Sequence, residues 1–104
     1  MRVSVSEDAG AYLIVMARID DAEAFGPYVE AVQPLIAAHG GKLIGRGIPP
    51  VLLEGDWPWH TVGVLSFPSM EAADGFWHSP EYVEVKKLRQ GNSQFQVVLA
   101  PATG

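Results

Sequence analysis

Apolar and polar positions fall into blocks along the chain, and each block has the period of one kind of element. Residues 12–19 are apolar on both alternate sets, Tyr12, Ile14 and Met16 on one and Leu13, Val15 and Ala17 on the other. That predicts a strand covered on two faces. From Phe25 the spacing changes to three and four, and Phe25, Val29, Val32 and Ile36 form one side of a predicted helix. Asp20, with Glu23 three residues on, has capping-box spacing and predicts the start of that helix. Pro27 lies near the first turn, where proline is tolerated, whereas Pro34 is interior and predicts a kink. His39-Gly40-Gly41 supplies the stop, with glycine for the left-handed residue and an imidazole at the negative end of the dipole.

Residues 42–47 and 51–54 read as one strand interrupted by Pro49-Pro50, a pair confined to an edge, a bulge or a loop. Gly55-Asp56-Trp57-Pro58 is turn chemistry, and residues 60–67 form the next strand. Ser69 caps a second helix to about Trp77, and Ser79-Pro80-Glu81 restarts it with a cap and a proline at its first position. Tyr82, Val85 and Leu88 make its inward side, and residues 94–100 are the last strand. The order βαββαβ predicts an α+β, ferredoxin-like fold, with two helices on one face of a four-stranded antiparallel sheet. One domain over residues 1–104 is expected.

Composition changes this picture in one respect. With 48% hydrophobic residues, the strands are apolar on both sides, yet two helices cover only one. A monomer would expose the other face, so a homodimer packed sheet to sheet is expected, residues 1–10 folding over that face being the alternative. A net charge of −5 argues against a nucleic-acid partner. The longest apolar run, nine residues from Ala9 to Ala17, is too short to span a membrane, and a cytoplasmic location is expected. The absence of cysteine excludes disulfides, thiolate metal sites and a cysteine nucleophile.

Several short segments resemble the family named domain of unknown function 1330, within the dimeric α+β-barrel superfamily. They are residues 20–28, Gly40-Gly41, Leu53-Glu54-Gly55-Asp56-Trp57, Phe67-Pro68-Ser69 with Ala72-Ala73, Ser79-Pro80-Glu81-Tyr82, and Arg89. The resemblance spans about residues 12–99 and implies a ferredoxin-like fold and a sheet-to-sheet dimer. The wider superfamily contains cofactor-free monooxygenases, muconolactone-isomerase-like enzymes and haem proteins, so it implies no single reaction. Members commonly carry Arg where this chain has His60, and a charged residue where it has Ser66.

Candidate chemistry centres on Arg89, seven residues after Tyr82 and on the same side of a helix. A half-buried arginine needs an anion, which Glu54, Asp20 or a ligand carboxylate could supply. His60, beside Trp59 and near the acidic turn, is a candidate general base or a solvated strand-end residue. Tyr28 and Tyr82 either present hydroxyls to a cleft or are core residues. Trp57 and Trp59 either anchor a partner or gate a pocket, and His39 and His78 read as helix-end residues. No histidine spacing suits a metal, so neither metal nor cofactor is expected. Gly45-Arg46-Gly47 lacks the third glycine of a dinucleotide fingerprint, and Gly40-Gly41-Lys42 lacks the spacing of a phosphate loop.

The expected function is a homodimeric small-molecule-binding protein. It would be a cofactor-independent isomerase or oxygenase-like acid–base enzyme on a small anionic compound. Its expected catalytic residues are His60 and Tyr28, and its ligand-binding residues are Arg89, Tyr82, Trp59 and Glu54. The alternative is a non-catalytic dimeric binding or assembly module. Arg89 beside an open pocket and free of any internal carboxylate favours the first. Arg89 paired with Glu54 or Asp20 favours the second.

Overall fold

A computed structural model describes residues 10–47 and 49–103. Residues 1–9, the alternative cover for the open sheet face, lie outside the described residues. Strand β1 (Ala11–Ile19) occupies the centre of a four-stranded antiparallel sheet, between β3 (Thr61–Phe67) and β4 (Ser93–Pro101). Strand β2 (Lys42–Gly47) is the edge beyond β3. With helices α1 (Ala22–Ala38), α2 (Met70–Trp77) and α3 (Pro80–Lys86) the order is that of a ferredoxin-like fold. No helix among the described residues is long and apolar enough to cross a membrane.

Period two decides what each face carries. Leu13 pairs with Leu65 and Leu99, and Ala17 pairs with Thr61 and Phe95, so odd-numbered positions of β1, β3 and β4 point toward the helices. Phe67, Phe76 and Tyr82 are the largest fully buried side chains, and burial stabilises each by about 1.5–3 kcal/mol. Tyr12, Ile14, Met16, Val62, Val64 and Val98 take the other face, where Val98 is 48% exposed.

The structure corrects several expectations at element ends. Asp21, not Asp20, caps α1, because its carboxylate accepts from the Ala24 amide at 3.1 Å. Asp20 instead sits 3.8 Å from Arg18. Residues 51–54 form no strand: the proline pair takes the chain off the sheet edge, leaving Leu53 almost wholly exposed. Leu88 is exposed and Arg89 is buried: Arg89, seven residues after Tyr82, takes the inward place at the 3-10 turn (Lys87–Arg89) that ends the helix. Helix α1 runs through both Pro27 and Pro34 as one element.

A bulge interrupts β2. Pairing passes from Leu43 with Leu65 directly to Gly45 with Val64, so Ile44 has no partner. Helix α1 rests on α3 and the 3-10 turn more than on the strands, and room remains beneath it.

Candidate functional site

That room is a cavity of about 570 Å³ between α1 and the sheet. Leu13, Val15 and Val97 contribute to its floor, and Phe25, Val29 and Val32 to its roof. Tyr28 from α1 and Tyr82 from α3 also border it.

Local structure fixes both tyrosines. Ser79 caps α3, accepting from the Tyr82 amide at 3.1 Å while its own hydroxyl donates to the Phe76 carbonyl at 2.8 Å. This places Tyr82 in the first turn, directly after the break between α2 and α3, with its ring against Phe76 and Trp77. Tyr28 is held on α1 by Phe25 and Phe95, at ring separations of 5.2 and 6.0 Å. The two hydroxyls meet at 2.8 Å.

Arg89 stands behind this pair. Its guanidinium lies 3.9 Å from the centre of the Phe95 ring, and Nη2 donates to the Tyr82 hydroxyl over a long 3.4 Å. Only 7% of the residue is exposed, and its buried Nε has no hydrogen-bond partner. No carboxylate pairs with it among the described residues. Neither Glu54 nor Asp20 supplies the expected anion.

The Tyr82 oxygen accepts from Arg89, and the two hydroxyls share one hydrogen bond in which either can be the donor. In the arrangement with Tyr82 donating, the Tyr28 hydrogen is free on a side chain that borders the cavity. Polarisation along such a chain strengthens the terminal donor. Burial, reinforced by the neighbouring Tyr82 hydroxyl, raises the Tyr28 hydroxyl well above the ordinary tyrosine range, and Arg89 offsets only part of this. Tyr28 therefore keeps its proton at neutral pH.

The structure does not bring the other candidates to this place. Glu54 and His60 are exposed, Trp59 is half-buried, and none of the three borders the cavity. Glu54 lines a shallow depression with Leu52, Trp57 and Val62, on the side of the sheet away from the helices. The backbone of His60 extends β3 by one bond, its amide donating to the Ala17 carbonyl at 3.0 Å. His39 and His78 close α1 and α2, each ring lying within 3.1 Å of the carbonyl four residues back. Among the described residues no three His, Asp or Glu side chains gather as a metal site would require. Phe95, the platform for Arg89, escaped the sequence reading, although period two on β4 places it inward with Val97 and Leu99.

Comparison with known proteins follows the same lines. The model of the family described as "Domain of unknown function (DUF1330)" matches residues 10–103. No curated protein matches the sequence. Among solved structures, the chain is similar to RPA0582, a protein of unknown function from Rhodopseudomonas palustris, with a TM-score of 0.77 and 22% identity over 93% of this chain and 85% of that one. It is similar to SnoaB, a cofactor-independent oxygenase from Streptomyces nogalater, with a TM-score of 0.65 and 12% identity over 92% and 95%. A dimeric protein of unknown function and ferredoxin-like fold from Bacteroides fragilis gives a TM-score of 0.61 and 16% identity over 88% and 95%. At these identities the likeness is one of fold.

Proposed function

The chain belongs to the DUF1330 family, and from that premise we propose that it is a homodimer that binds a small amphipathic compound in the cavity beneath α1. The Arg89–Tyr82–Tyr28 chain carries the proposal: a buried guanidinium without a carboxylate feeds a hydrogen-bond donor on the wall of an apolar cavity. A donor so arranged fits a carbonyl or phenolic oxygen, and it stabilises negative charge that develops there. That is the requirement of an isomerase passing through an enolate, or of an oxygenase whose substrate itself forms the reactive carbanion. SnoaB, a cofactor-independent oxygenase, supports oxygenation without a cofactor as a chemistry this fold can host. Arg89 acts through Tyr82 rather than by touching the compound.

One observation favours binding without turnover: no His, Asp or Glu is among the described residues that border the cavity, so a base has to come from elsewhere. Titrating 2-acetylnaphthalene, a neutral aromatic ketone, into wild type and Tyr28→Phe by calorimetry tests the site. The variant is expected to bind about tenfold more weakly, the worth of one well-placed hydrogen bond. Equal affinity removes Tyr28 from the site, and binding to neither protein removes the cavity.

The dimer is proposed through Tyr12, Ile14, Met16, Val64 and Val98, an apolar face that no described helix covers and that the loop of residues 50–57 meets only at Val62, and the dimeric Bacteroides fragilis neighbour supports it. Light scattering should give twice 11.2 kDa for wild type and 11.2 kDa for Val98→Asp. A wild-type particle of 11.2 kDa overturns the dimer.

A further inference from the structure

We infer that Arg46 binds an anionic group at the rim of the cavity, so that the compound held there is two-ended: a neutral oxygen at Tyr28 and a carboxylate at Arg46. The inference rests on the proposed use of the cavity and adds the class of its ligand.

Three features of the molecule point to Arg46. In strict alternation, Leu43 and Arg46, three residues apart, would face opposite sides of the sheet. The bulge at Ile44 cancels that alternation. Leu43 pairs with Leu65 and Arg46 pairs with Gly63, both of which border the cavity beneath α1. Bulges next to sites commonly re-aim a side chain in this way.

The residue across from Arg46 is the second feature. A Cβ built on Gly63 would meet only Leu43 Cδ1, at 3.9 Å. The sheet surface beside Arg46 is therefore bare, and it leaves space for the arginine stem and for a ligand next to it. Gly45 and Gly47, which fail as a dinucleotide fingerprint, flank the same residue.

Charge is the third. The chain carries 12 acidic and seven basic residues, yet among the described residues bordering the cavity the only charged side chains are Lys42 and Arg46. Lys42 pairs with Ser66, whose neighbour on β1 is the outward-facing Tyr12, so its side chain starts from the other face. Arg46 forms no ion pair among the described residues. Its planar fork matches a carboxylate, and it meets the ligand where one side is still wet.

The test compares 6-acetyl-2-naphthoate with 2-acetylnaphthalene, the same ketone without the carboxylate, by calorimetry at low salt. Wild type should prefer the acid by about fivefold, the effect of one partly exposed charge pair, and raised salt should shrink the preference. Arg46→Gln should bind both compounds alike, while Arg46→Lys should retain part of the preference. Circular dichroism and light scattering on each variant check that fold and assembly are unchanged. Equal binding of both compounds by wild type overturns the rim site and leaves the cavity standing. So does a preference that survives in Arg46→Gln, or a loss of the dimer in that variant with the preference intact. Failure of both compounds to bind overturns the cavity and the rim together.

Discussion

The hydroxyls of Tyr28 and Tyr82 lie 2.8 Å apart although 54 residues separate them in the chain. One comes from the roof helix and the other from the first turn of α3, so their meeting ties these two helices together at the wall of the cavity. The same contact serves stability and binding, and substitutions around it should separate the two.

Tyr28→Phe removes one hydroxyl and with it the buried hydrogen bond to Tyr82. The expected loss is about 1–2 kcal/mol of unfolding free energy, measured by urea denaturation. A variant as stable as wild type would mean that Tyr82 finds another partner.

Stability should fall in strong alkali because of Tyr28. The unfolded chain releases this proton near the ordinary value of about 10, while the folded protein holds it to higher pH. The contribution is therefore complete below pH about 10 and is lost as the pH rises above it, by up to about 1.4 kcal/mol per pH unit for one group. Tyr28→Phe lacks this slope, so the urea midpoints of the two proteins should converge between about pH 10 and 11.5. Parallel curves would contradict the raised value.

Arg89→Met keeps the length of the side chain and removes a buried charge that no carboxylate balances. It forfeits the stacking on Phe95 but also the cost of desolvating the cation. Stability should stay within about 1 kcal/mol of wild type. Affinity for 2-acetylnaphthalene should fall, because the donor chain loses its charged end. A loss of stability above about 3 kcal/mol, with affinity retained, would make Arg89 a structural support.

Gly63→Val should do the reverse. Space is open above Gly63, and valine suits the interior of a strand better than glycine. Thermal unfolding should show a gain of about 0.5–1 kcal/mol, while the isopropyl group takes up cavity space and weakens binding of 2-acetylnaphthalene. A stabilised variant that binds as well as wild type would place the compound elsewhere.

The fold was legible because hydrophobic period and caps agree along most of the chain, as at Ser69 and Ser79, each of which accepts from the amide three residues on. Helical spacing also set Tyr82 and Arg89 on one side, as the structure has them. What Arg89 meets there was not legible. Its neighbours Tyr28 and Phe95 come from distant segments, and a formal charge suggests a carboxylate more readily than a ring and a hydroxyl. Local geometry hid the rest: a single unpaired residue in β2 decided where Arg46 stands. His60, Trp59 and Glu54 are neighbours in sequence around one turn, but residues 51–54 leave the sheet edge and none of the three borders the cavity.

The two prolines of α1 have a consequence for the roof itself. Neither Pro27 nor Pro34 can donate to the carbonyl one turn back, so two rungs are missing from the ladder of the helix. The prolines are seven residues apart, nearly two full turns, and both are exposed, so both gaps open to water on the outer side. A helix that lacks rungs only along its outer side gives way most easily in the sense that lifts its middle away from the sheet. The two prolines thus bear on how readily the roof makes headroom for a compound, from the side of the helix that faces water.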